Sequence, residues 1–335
     1  MTGLLPALVL FFLAPLVSEF LLGNLPITML PALLILAPMY GGGALLIREI
    51  ARKAGRGWPS IILLGIAYAV LEEAFTTQTL FNPDYLHLNL HLLDYAPIRP
   101  LGIGSWWSLY VISLHAIWSI AVSVALAEGL FPEVATKPWL GTIGLSVTAL
   151  IFMFGIAATT FVSLKIEREK GGVFVASISQ FLGAAVVCVL LVVAAFAIPL
   201  RQRALRAGTV ANPWVVGTAS LIAGSIFLLV PPFWGWGAVA IYLALYLLAI
   251  TFVLHQSSRQ SWGARHRLAL ASGAALAYAL HSFPQPSVTN EDPTIDLIGN
   301  SIFAMGAIAI IAIGFWRNRD DRISTDGDPP GHRAD

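Results

Sequence analysis

Charge is what this 335-residue chain has least of: Asp, Glu, Lys and Arg together make up 11% of it, where a soluble domain carries about a quarter. A surface so short of charge excludes a water-soluble globule of this size. Cysteine is nearly absent as well. Cys188 stands alone, which excludes a disulfide framework and a thiolate metal cluster, since both need paired sulfurs. No run of Lys and Arg interleaved with aromatic residues occurs, and the formal net charge is +1. The electrostatic attraction that dominates nucleic-acid affinity is therefore missing, and no nucleic-acid partner is expected. A basic leader is missing too. Met1-Thr2-Gly3 runs directly into an apolar stretch that carries Glu19, which reads as a retained span rather than a cleaved signal peptide.

What fills the chain instead is hydrocarbon. Hydrophobic residues reach 57%, and mean hydropathy is +0.79. Apolar stretches long enough to cross a core about 30 Å thick run over 4–24, 27–49, 60–80, 106–130, 139–164, 173–199, 213–230, 236–255, 268–283 and 296–316. The expected fold is all-α, a polytopic integral membrane bundle of ten transmembrane helices. Residues 1–316 form one domain, with a polar site within 1–130 and a scaffold half over 139–316, and 317–335 form a disordered cytoplasmic tail rich in Asp, Arg, Gly and Pro. Ten spans divide into five and five, and an odd-numbered repeat would be inverted across the membrane, as in secondary transporters. Pro31, Pro38 and Gly41-Gly42-Gly43 interrupt the second span, and Pro231-Pro232 end its counterpart, the seventh. An ordinary turn before Trp234 and Trp236 explains the second pair more simply.

Basic residues in short loops stay on the cytoplasmic side. With both termini inside, Arg48, Arg52, Lys53 and Arg56, then Lys137, then Arg201, Arg203 and Arg206, then Arg259, Arg265 and Arg267, and finally Arg317, Arg319, Arg322 and Arg333 share that side. These are fifteen of the 19 basic residues. Arg99 and the Lys165, Arg168, Lys170 cluster fall outside, where Glu167 and Glu169 offset the cluster. The expected location is a bacterial cytoplasmic membrane, with membrane lipid as one partner and both termini cytoplasmic. The pattern specifies no oligomeric state.

Against this background two adjacent carboxylates, Glu72 and Glu73, lie inside an apolar run. Ionisable groups at membrane depth are costly and mark functional sites. Tyr68, Glu72, Thr76 and Thr79 form one stripe on the third span, with Glu73 turned about 100° away. Ser108, His115, Ser119 and Ser123 form another on the fourth. At about 1.5 Å per residue, Glu72 lies about 18 Å above the cytoplasmic start of its helix and His115 about 13 Å below the outer start of its own. In a core near 30 Å these heights coincide, so Glu72 and His115 are expected to face each other. Glu72, Glu73 and His115 are the candidate catalytic residues, and Tyr68, Thr76, Ser119 and Glu19 the candidate substrate-binding ones. A structural hydrogen bond tying the two helices is the plainer alternative. Arg48 and Glu49 read as interfacial anchors, and Glu128 as solvated. His87 and His91, with Asp84 and Asp94 on the long 81–105 loop, would bind zinc if that loop were helical. Pro83, Pro97 and Pro100 favour a short amphipathic lid.

The order Glu72-Glu73 in one span and His115 in the next resembles the first two motifs of the CPBP-type intramembrane metalloproteases, which include the CAAX prenyl endopeptidases. There a Glu-Glu-x-x-x-Arg, a Phe-x-x-x-His and a His-x-x-x-Asn or His-x-x-x-Asp motif build a site in which Glu and His activate water. Here Thr77 stands in place of the Arg and Val111 in place of the Phe. His281, the one later candidate, is followed by Gln285. Ala14-Pro15-Leu16-Val17-Ser18-Glu19 is similar to the lead-in of the first motif. Three functions follow as expectations. The first is a proton-coupled permease for a small solute, with no cofactor. The second is an intramembrane metal-dependent hydrolase, the only reading that needs zinc, and the third is a non-catalytic membrane assembly component.

Overall fold

A computed structural model describes residues 3–197 and 206–319. Arg201 and Arg203 lie outside the described residues, as does the expected tail from residue 320 onward. Ten helical segments run in chain order: α1 Leu4–Phe20, α2 Ile27–Lys53, α3 Trp58–Thr76, α4 Ser105–Leu130, α5 Thr142–Lys170, α6 Ile178–Ala197, α7 Pro213–Leu229, α8 Trp236–Ser257, α9 Ala264–Ser282 and α10 Pro293–Arg317. Seven of them, α2 to α6, α8 and α10, are long and apolar enough to cross a membrane, while α1 and α7 are shorter apolar helices. The protein is an all-α integral membrane bundle. Helix starts follow local chemistry: Asn212 and Asp292 accept from the backbone N–H of Trp214 (3.0 Å) and Thr294 (2.8 Å), each with a proline at the first helical position.

The connections gather at two ends. At one, Arg317 Nη2 donates to Glu133 Oε1 (2.9 Å), Asn318 Nδ2 donates to the Gly129 carbonyl (2.8 Å), and Arg206 bridges to Arg259. At the other, Thr28 Oγ1 donates to Glu291 Oε2 (3.0 Å), Asn82 Nδ2 to Glu167 Oε1 (2.6 Å), and Gln180 Nε2 to the Leu101 carbonyl (3.3 Å). Alternate connections meet, as successive crossings require.

Packing centres on α4, which touches α1, α3, α9 and α10. Between helices in lipid no hydrophobic drive acts, so association depends on close backbone approach through small residues. The α7–α9 contact is made this way. A Cβ on Gly273 would overlap the Gly217 carbonyl oxygen, and Ser220 Oγ donates to the Leu270 carbonyl at 2.7 Å. Trp118 Nε1 donates to the Ala274 carbonyl (2.8 Å), tying α4 to α9. By contrast, α5 and α6 turn apolar side chains outward along most of their length.

Pro231 is extended and Pro232–Trp234 form a single 3-10 turn, so the proline pair makes the α7–α8 connection, the simpler of its two readings. Other expectations change. The 81–105 segment is not a helical lid. Leu86, His87, Asn89 and His91 take left-handed backbone (φ 53°, 54°, 52° and 53°), and β1 Pro97–Ile98 pairs antiparallel with β2 Ile103–Gly104. His91 Nδ1 lies 2.9 Å from its neighbour Asp94 and His87 Nδ1 3.5 Å from Asp84, so the two histidines do not form the helical zinc pair. Buried Glu167 pins this strap, accepting from Asn82 and from the Phe174 N–H (3.1 Å).

Arg48, Glu49 and Glu128 are neither anchors nor solvated. They are 0%, 1% and 7% exposed. The reason is residues 134–140, which fold back across the end of α2. Arg48 Nη2 donates to the carbonyls of Val134 (3.3 Å), Ala135 (2.7 Å) and Lys137 (2.8 Å), and the guanidinium lies 3.3 Å from the centroid of the Trp139 ring. Arg48 also pairs with Glu49 and, at 3.2 Å, with Glu128. Glu49 accepts from the N–H groups of Trp139 and Leu140, both at 2.8 Å. Arg52 closes on Glu128 through two bonds of 2.9 and 2.7 Å.

Candidate functional site

Glu72 and Glu73 open a π turn, Glu72–Thr76, at the end of α3. Their consecutive positions would diverge by about 100° in an α-helix, yet both reach the same imidazole, so the expected rotation of Glu73 away from the site does not occur. Glu72 Oε2 lies 3.1 Å from His115 Nδ1, and Glu73 Oε1 lies 2.8 Å from His115 Nε2. His115 itself sits in a second π segment, Leu114–Val122, within α4. One donor atom from each residue lies within 4.8 Å of the others, and all three side chains are buried.

The environment of each group differs. Glu73 Oε2 accepts from Thr77 Oγ1 (3.0 Å) and from Thr79 Oγ1, which in turn accepts from Trp107 Nε1 at 3.0 Å. Glu72 Oε2 is buried without a hydrogen-bond partner among the described residues, and its 3.1 Å approach to His115 Nδ1 is an ion-pair contact. Ser119 Oγ lies 3.3 Å from that nitrogen. When fully ionised, two carboxylates and one imidazolium leave a net charge of −1 in a medium that penalises it. The cluster therefore suits a further positive charge, whether a shared proton or a cation.

Two tyrosines flank the imidazole. Tyr40 stacks on it with ring centroids 5.8 Å apart and an interplanar angle of 23°, and Tyr68 meets it edge-on at 6.4 Å. Of the residues expected from sequence, Glu72, Glu73, His115, Tyr68 and Ser119 come together. Glu19 stands one step removed, its Oε1 accepting from the Tyr40 hydroxyl at 2.6 Å. Thr76 lies on the same π turn, its hydroxyl buried without a hydrogen-bond partner among the described residues. Arg48 belongs to the separate network at the basic end, and His281 is not one of the three converging residues. Sequence reasoning missed Tyr40 and the roles of Thr77, Thr79 and Trp107. The available signal was Pro38, which lacks an N–H and disrupts the helix beside Tyr40.

The chain belongs to an uncharacterized membrane protein family, whose model matches residues 8–318, from α1 to the end of α10. No curated protein and no solved structure matches it.

Proposed function

We propose that the protein is an intramembrane hydrolase whose Glu72, Glu73 and His115 hold a divalent cation. One observation carries this reading. Three oxygen and nitrogen donors converge within 4.8 Å in a buried site, and Glu72 Oε2 there has no hydrogen-bond partner among the described residues. Two carboxylates and an imidazole are a donor set that zinc and related ions accept. A bound divalent cation would polarise a scissile carbonyl or make a bound water acidic enough to attack near neutral pH. The chain's own residues do the rest. Thr77 and Thr79 hold one oxygen of Glu73 so that the other points at His115, and the surrounding helices keep bulk water away. The order of Glu72-Glu73 and His115, similar to the intramembrane metalloproteases, supports the same reading. Elemental analysis of purified protein tests it. Wild type should carry the ion, and Glu73→Gln and His115→Ala should lose it. Metal-free wild type whose thermal stability ignores chelator would overturn the proposal.

The net charge of the cluster supports a second reading, a proton-coupled permease for a small solute, in which a proton rather than a metal offsets the surplus. Glu72→Gln would then abolish pH-driven uptake in folded, inserted protein, since Gln keeps the shape but cannot titrate. If Glu72→Gln and His115→Ala lower stability and alter neither flux nor hydrolysis, the role is structural. In either functional reading the basic end faces the cytoplasm of a bacterial cell, following the distribution of Lys and Arg.

A further inference from the structure

Four π segments occur among the described residues: Leu16–Phe20, Ala37–Gly41, Glu72–Thr76 and Leu114–Val122. Such insertions sacrifice helical hydrogen-bond regularity and gather at functional sites. Two of the four carry the Glu72, Glu73 and His115 cluster. The other two carry Glu19 and Tyr40, which the proposed chemistry leaves unused.

These two residues form a built arm. Glu19 has both oxygens occupied, Oε1 by the Tyr40 hydroxyl and Oε2 by Asn24 Nδ2, each at 2.6 Å. Asn24 is itself held, its carbonyl accepting from the Val288 N–H at 3.0 Å. The backbone under Tyr40 is equally constrained. A Cβ on Gly41 would overlap the Phe11 carbonyl oxygen, and one on Gly43 would overlap the Tyr68 ring, so α2 lies flush on α1 and α3 only because these side chains are missing. The free end of the arm is the Tyr40 ring, stacked on His115.

His115 needs such a support. Outside the carboxylates, its hydrogen-bond contact among the described residues is the long one to Ser119 at 3.3 Å, so apart from the two ion pairs the ring is held by its aromatic neighbours. Offset stacking, with centroids 5.8 Å apart and the planes tilted by 23°, limits tipping of the imidazole plane and so the directions of both nitrogens. The geometry points to Glu19 and Tyr40 as positioning residues of the cluster: Glu19 tethers the Tyr40 hydroxyl, and the Tyr40 ring sets the His115 plane so that its nitrogens meet the two carboxylates of α3. This inference rests on the metal-site reading. Supporting groups around metal ligands typically change affinity by about 10- to 100-fold when removed, and the arm falls in that class.

The test uses the full-length protein in lipid nanodiscs, with Co2+ as a spectroscopic probe and Zn2+ in competition against a chelator. Tyr40→Phe keeps the ring and loses the tether, so affinity should fall about 10-fold; Tyr40→Leu loses both, giving about 100-fold. Glu19→Ala should match Tyr40→Phe, and the double variant should be no worse than either, because the two act in one chain. Glu19→Gln still accepts the hydroxyl and should bind nearly as wild type. The cobalt absorption bands should shift in Tyr40→Leu, a change that loss of packing alone would not produce. If Tyr40→Leu does not fold, Tyr40→Phe and Glu19→Ala carry the comparison. Wild-type affinity and spectrum in the Tyr40 variants, with binding still lost in His115→Ala, would overturn the positioning role and leave the metal site standing. Wild type that binds neither ion would overturn both.

Discussion

Replacing Arg48 with Met removes a cation that is fully buried at the basic end of α2. Methionine roughly fills the volume but offers no donor. Glu49 keeps the N–H groups of Trp139 and Leu140 on Oε2 but loses the Arg48 partner of Oε1, while Glu128 keeps both bonds from Arg52. The Val134 carbonyl still accepts from Trp139 Nε1 at 3.0 Å, so the loss falls on Glu49 Oε1 and on the carbonyls of Ala135 and Lys137. Stranding a buried polar group costs about 1–3 kcal/mol each, and breaking a buried ion pair from one side costs about 3–5 kcal/mol. With Glu128 still paired to Arg52 and Glu49 covered on one oxygen only, the expected loss is about 3–4 kcal/mol. Arg52→Met leaves every one of those carbonyl bonds in place and should cost less. Reversible unfolding in mixed detergent micelles, followed by circular dichroism, measures both. A loss under about 1 kcal/mol for Arg48→Met would mean that water reaches the 134–140 carbonyls and that the end of α2 is solvated after all. Metal binding should not change, because the network shares no residue with the cluster, so a loss of metal would also refute the separation of the two.

In a background where Cys188 is replaced, a cysteine at exposed Asn290 should react with an impermeant maleimide from outside the cell, and one at Ser261 only after lysis; the reverse pattern would invert the proposed orientation. The Arg317 hydrogen bond holds the Glu133 carboxyl below the usual carboxylate range. Its stabilisation is therefore fully present above the unfolded Glu value of about 4.3 and is lost as pH falls through the lower folded value. Because the pair is exposed, it should contribute under about 1 kcal/mol. Glu133→Gln should remove that acid-side slope from the unfolding midpoint below about pH 5 and change little at pH 7; an unchanged slope would refute the pairing.

Hydropathy is a local property, and a span needs only enough consecutive apolar residues to cross the hydrocarbon. The all-helical membrane class and the ten helical segments were therefore legible in sequence to within a few residues. The same local logic picked out Glu72, Glu73 and His115, because an ionisable side chain at depth is costly wherever its helix packs. Tertiary structure decided which atoms meet. A π turn changes the angular step between neighbours without leaving a hydropathy signature, so the convergence of Glu73 with Glu72 was invisible in helical periodicity. Tyr40 reads as an ordinary aromatic until α1 and α2 lie flush across Gly41 and bring it onto His115. The burial of Arg48 was equally hidden, since its partners are carbonyls supplied by a segment far along the chain. Composition determines what must be buried in lipid, while the fold alone determines which polar groups find one another there.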